Sequence, residues 1–173
     1  SILGLGGVEV TVAGIDLRLV SAGAGATLDA GHRSRVFDVT GGARLQLEGI
    51  ALANGGSGAG GAMGIRNSSV VLFRSSIVDS MAGEFGGAAV IHSSSLTIAN
   101  NSFITGCSAG HTGGAFVATD GSVVMVDHSQ IIGSHAHYNG GAIYVVLGHV
   151  AVRNGSSIVD STALDGGALQ VAD

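Results

Sequence analysis

Acid–base or metal-assisted work on an acidic sugar polymer needs carboxylates gathered in pairs, with a basic group close by. The acidic residues of this 173-residue chain do not have that spacing. Asp79 and Asp160 hold the same place in a repeating pattern but stand three repeats apart, with Gly106 and Gly133 between them. Asp120 and Asp127 fall in separate turns, no Asp-Asp pair occurs, and Lys is absent. His32 and His149 are isolated. His111 and His137 lie two and three residues before Gly-Gly pairs, with His135 close by, so stacked loops would bring imidazoles near one another. A metal site would also need a carboxylate or thiolate at a firm spacing. The lone Cys107 excludes an internal disulfide framework, and it stands where other repeats carry Ser, which reads as packing rather than reactivity. Gly55-Gly56-Ser57-Gly58-Ala59 lacks the Lys of a phosphate-binding loop and reads as an exposed turn. These residues predict no catalytic centre, no metal and no cofactor.

Three sequons occur, beginning at Asn67, Asn100 and Asn154. In a secreted chain they are the candidate glycan acceptors, and Asn67, in the first turn of its repeat, is the best placed. Asn100 and Asn154 are expected in a column with Arg74 and Asp127, after the second strand of each repeat. Stacked amides there would bond inward, and a glycan would conflict with them.

The elements that position these residues follow from the repeat. Gly-Gly-Ala recurs at Gly60, Gly86, Gly113, Gly140 and Gly166, in steps of 26, 27, 27 and 26 residues. Ile77, Ile104, Ile131 and Ile158 keep phase with it. Each repeat holds three short segments with apolar residues two apart, the strand period. The first carries Met63/Ile65, Ala89/Ile91, Phe116/Ala118, Ile143/Val145 and Leu169/Val171. The second carries Val70/Leu72, Leu96/Ile98, Val123/Met125 and Val150/Val152. The third centres on the isoleucines. Gly, Asn, Asp and Ser between them form turns. Three strands per 26–27 residues describe one coil of an all-β, single-stranded parallel β-helix. Its coils stack at about 4.8 Å, with the right-handed crossover that parallel strands favour. Residues 60–173 form the regular coils and residues 1–59 looser ones, about six in all within one domain. The chain stops as a fresh first strand begins at Leu169, so it reads as a segment of something longer with uncovered or partner-covered ends.

The Gly-Gly-Ala-apolar motif, with its downstream counterpart, resembles the polymorphic outer-membrane-protein repeat of bacterial surface autotransporters. Arg35-Val36-Phe37-Asp38-Val39 through Ile50 and Asn54-Gly55 is similar to a broader group of pectate-lyase-like extracellular β-helices. The resemblance covers residues 27–173. The chain departs from it at Ser80, Cys107, Ser134 and Ser161, where that repeat has Asn. The resemblance implies adhesion or surface structure, without a cofactor, at an extracellular or cell-surface location.

Composition narrows the partners. Net charge is −5 and all seven basic residues are Arg, which leaves no basic stripe for nucleic acid. No apolar run reaches the roughly 18–20 residues that span a bilayer. Between the inward positions, Gly64, Val90, Val117, Tyr144 and Gln170 point outward on the first strands. Val71, Thr97, Val124 and Ala151 are expected outward on the second. Val90, Val117 and Tyr144 would form one apolar stripe, and Val71 with Val124 another. Such stripes mark interaction surfaces. The leading expectation is a non-catalytic structural module that packs laterally against other subunits or copies, or adheres to surface glycans. The alternative is a polysaccharide lyase or hydrolase, or a carbohydrate-binding β-helix, whose outer face would group acidic, basic and aromatic residues.

Overall fold

In the computed structural model, which describes residues 1–173, the alternating segments form parallel strands stacked as a β-solenoid of about seven turns, without a helix. The first segment of each coil builds a seven-stranded sheet that includes Met63–Arg66, Ala89–His92, Phe116–Thr119 and Ile143–Val146. The second builds a six-stranded sheet with Arg44–Glu48, Ser69–Phe73, Ser95–Ala99 and Val123–Asp127. The third builds a seven-stranded sheet with Ser76–Val78, Phe103–Thr105 and Gln130–Ile132. A fourth, four-stranded sheet was not visible as alternation. It consists of Gly56–Ala59, Met81–Phe85, Ser108–Ala109 and His135–Ala136. Its residues are mostly Gly, Ser and Ala, so they carry little apolar period to read. The coil is therefore four-sided over its middle turns.

Each corner bends at a residue in the left-handed region. After the second sheet these are Arg74, Asn100, His128 and Asn154; after the third they include Asn54, Asp79, Gly106, Gly133 and Asp160. The glycine pair has two separate causes. Gly113 adopts φ +65°, whereas a Cβ on Gly114 would collide with the carbonyl oxygen of Gly141 in the next coil. The alanines that follow run as a hydrogen-bonded column. Ala88 N donates to Ala115 O at 2.8 Å, and Ala115 N to Ala142 O at 2.8 Å.

The core is one continuous cluster of 32 buried apolar residues. Ile77, Ile104 and Ile131 stack in register and are fully buried; Ile158 continues the column and is half-buried on the last coil. Each fully buried side chain of that size contributes roughly 1.5–3 kcal/mol.

Two sequence expectations are corrected here. On Val123–Asp127 the inward residues are Val124 and Val126, both fully buried, and Met125 faces out. The turn Asp120-Gly121-Ser122 holds one residue more than Ser93-Ser94, and one extra residue reverses which face each side chain takes. Val124 therefore belongs to the core, not to an outer stripe. The proposed amide column also shifts, because His128 rather than Asp127 stands in line with Asn100 and Asn154. That column is exposed, and serines one to two residues further on make the inward hydrogen bonds.

Candidate functional site

The outer face of the first sheet changes character along the solenoid. Its outward column runs Asp38, Gly64, Val90, Val117, Tyr144, Gln170, all paired in register. At Asp38 the face is charged: Arg66 donates to its carboxylate at 2.7 Å, and Arg35 lies 3.6 Å away between Asp38 and Glu9. One turn beyond Gly64 it becomes apolar.

Val90, Val117 and Tyr144 form the floor of a groove of about 400 Å³. Val117 is only 7% exposed, and Val90 and Tyr144 are half-buried. Phe85 and His111, just before two of the glycine pairs, wall the groove, and Tyr138 continues the ring stack outside the groove's lining. The ring of Phe85 meets that of His111 edge-on with centroids 5.6 Å apart, and His111 packs on Tyr138 at 4.6 Å. The corners at Gly86 and Gly113 bring this wall over the floor, since each turns the chain at positive φ. Thr112, Thr119 and Asn139 supply the groove's remaining polar groups, and none of its lining residues is Asp, Glu, Arg or Lys. His111 Nδ1 lies 2.8 Å from Thr112 Oγ1, whereas the Asn139 carboxamide and the Tyr144 hydroxyl make no hydrogen bond within the chain.

Of the residues singled out in the sequence, Val90, Val117 and Tyr144 thus come together. Val71 faces out on the second sheet, half-buried between Gln46 and Thr97, well separated from them in the topology. Phe85 and Tyr138 were missed. Their signal was present: an aromatic or imidazole ring stands within two residues before three successive glycine pairs, at Phe85, His111 and Tyr138.

The other histidines are dispersed. His135 Nδ1 is 2.8 Å from Thr162 Oγ1, His137 packs edge-on against Tyr138, and His92 Nδ1 is 2.8 Å from Asp120 Oδ2. No three His, Cys, Asp or Glu side chains converge as a metal-binding set. A second depression, about 550 Å³, crosses the fourth sheet between His32 and His135, over a floor of small residues with Met81 standing out. Cys107 is fully buried, its Sγ 3.6 Å from the Thr105 carbonyl oxygen, and burial pushes its thiol up to about 12. Hydrogen bonds from Arg18 and then Arg74 hold the Glu48 carboxyl below its usual range, and Asn54 and the Gly31 amide do the same for Asp29.

Asn67, Asn100 and Asn154 are all exposed at corners with left-handed backbone. The inward conflict expected for a glycan at Asn100 and Asn154 therefore does not arise. Asn154 does use its amide nitrogen, which donates to Asp127 Oδ1 at 2.7 Å.

No helix is long and apolar enough to cross a membrane. No family model, curated protein or solved structure gives a significant match to this chain.

Proposed function

We propose that this chain is a non-catalytic structural and interaction module of an extracellular or cell-surface assembly, working by adhesion through its outer groove. The observation that carries this reading is the change along one sheet face from an Arg-carboxylate network to an apolar floor at Val90, Val117 and Tyr144. A face with no partner would keep polar residues at these outward positions, and apolar ones concentrated in a walled groove favour contact. Likeness of the Gly-Gly-Ala repeat to that of surface autotransporters supports the location. The solenoid frame supports the role, since it holds the floor residues rigidly at one-coil spacing. Asn67, Asn100 and Asn154, exposed at corners, are its glycan acceptors if the chain passes through a secretory route.

The test is adhesion of beads coated with the chain to beads coated with the same chain, to polysaccharide films and to protein films. Tyr144→Lys and Phe85→Lys should reduce attachment to whichever surface holds the wild type, with the fold unchanged by circular dichroism. Attachment indifferent to both changes, or release of cleaved sugars from the films, would overturn the reading.

A further inference from the structure

We infer that the groove over Val90, Val117 and Tyr144 takes a neutral saccharide chain. This rests on the reading above that the groove is the recognition surface, and adds the class of its occupant.

Size argues first. The three floor residues sit on successive coils, so at about 4.8 Å per coil the apolar floor is about 10 Å from end to end. A stable protein interface buries roughly 800 Å² on each partner, far more than such a floor offers. A volume of about 400 Å³ instead suits a slim ligand.

Backbone chemistry argues next. An extended peptide bound to a sheet needs free backbone groups, as at a sheet edge. Ala89–His92 and Phe116–Thr119 are paired on both sides, so the floor has none to give. The amides of a peptide laid there would be left largely unmet, at a cost for each one. A sugar ring makes no such demand. Its C–H faces can lie on Val90, Val117 and the Phe85 ring, while its hydroxyls reach the rim or stay in water at the open mouth. At the rim, the Asn139 carboxamide and the Tyr144 hydroxyl have no partner within the chain.

Charge decides the kind of sugar. No carboxylate, Lys or Arg lines the groove. The nearest cations on this face, Arg35 and Arg66, are engaged with Asp38. A uronic-acid chain would bring carboxylates to a site without a permanent cation, its one imidazole being His111 with Nδ1 against Thr112 Oγ1, so a neutral chain is favoured.

The experiment titrates the whole chain with neutral tetrasaccharides of glucose, mannose and xylose, and with tetragalacturonate as the anionic comparator. Methyl NMR of the wild type follows Val90 and Val117, and calorimetry reads affinity. A neutral tetrasaccharide should shift both valine signals saturably, and tetragalacturonate should not. Phe85→Ala and Asn139→Ala should each weaken binding about tenfold, equivalent to about 1.4 kcal/mol, and Met81→Ala, over the other depression, should leave it unchanged. If Phe85→Ala does not fold, the wild-type shifts and Asn139→Ala still decide. The inference is overturned if no neutral sugar binds saturably, if binding leaves Val90 and Val117 unshifted, or if the anionic chain binds more tightly. Adhesion that persists without sugar binding would sink this inference alone, whereas cleavage of a bound sugar would sink the non-catalytic reading alone.

Discussion

The hydroxyl of Ser102 accepts the backbone N–H of Ser75, in the preceding coil, at 3.1 Å and donates to the Ala99 carbonyl at 2.6 Å. The same link repeats along the solenoid. Ser75 Oγ accepts from Ile50 N, Ser129 Oγ from Ser102 N, and Ser156 Oγ from Ser129 N. At this corner the left-handed turn takes the backbone out of the sheet ladder, and a serine hydroxyl from the next coil supplies the acceptor that a carbonyl gives elsewhere. Buried polar groups need such partners, so the ladder explains why small hydroxyl residues recur at a tight corner that Ala would also fit.

Ser102→Ala should therefore destabilise the chain by about 1–3 kcal/mol, because it leaves the buried Ser75 N–H without an acceptor. Ser102→Thr keeps the oxygen and should recover part of the loss if its extra methyl fits. Urea unfolding measures both. An alanine variant as stable as the wild type would mean that water or a shifted carbonyl replaces the hydroxyl.

Ile131 sits mid-column between Ile104 and Ile158 and is fully buried. Ile131→Ala should lower stability by about 2–5 kcal/mol through lost burial and the cavity left behind. Ile131→Asp should abolish folding, since a buried carboxylate would have no partner. A soluble, cooperatively melting Asp variant would contradict the column.

The solenoid and its first and third strands were legible because motif spacing and strand alternation are both linear signals. The isoleucine column and the alanine column could be read directly from the 26–27-residue step. What resisted reading was local phase. Asp120-Gly121-Ser122 absorbs one extra residue, and Val123-Val124-Met125-Val126 is apolar at every position, so no polar residue marks its outer face. The groove was half legible: its floor follows from alternation, whereas its wall lies on turn residues that have no period. The fourth sheet escaped because glycine and serine carry no inside-outside contrast.

That phase makes a contrasting pair of variants. Val124→Lys places a charge in the core and should cost several kcal/mol or prevent folding. Met125→Lys, one residue on and half-buried on the outer side, should change stability by less than about 1 kcal/mol. Thermal melting of both variants distinguishes the registers, and the reverse order would restore the phase read from the sequence.

Cys107 stands in the column of Ser80 and Ser134, and its sulfur accepts the Ser80 backbone N–H. With the thiol pushed up to about 12 by burial, almost none is thiolate near neutral pH. Iodoacetamide should leave the native chain unlabelled and modify it only on unfolding. Cys107→Ser keeps an acceptor and should be tolerated, whereas Cys107→Val leaves the Ser80 N–H unmet, at about 1–3 kcal/mol. Rapid native labelling, or a Val variant as stable as the Ser one, would count against this packing.

Glu48 lies on an outer position of the second sheet and is bonded by Arg18 and Arg74 from the coils on either side, so it ties three coils together. Those bonds lower its folded pKa below the ordinary 4.5. The unfolded chain therefore takes up the proton more readily as pH falls. The stabilisation from Glu48 is complete above about the ordinary value and is lost as pH drops through the lower folded one. Glu48→Gln should melt below the wild type at neutral pH, with the gap closing on acidification beneath that ordinary value. Added salt should narrow the neutral-pH gap, because Arg18 and Arg74 are largely exposed and their attraction is screened. A gap that stays constant from neutral to acid pH would show that the glutamate acts through packing rather than charge. A gap that widens in acid would reverse the sign of the linkage and remove Glu48 from the groups that stabilise the coil stack.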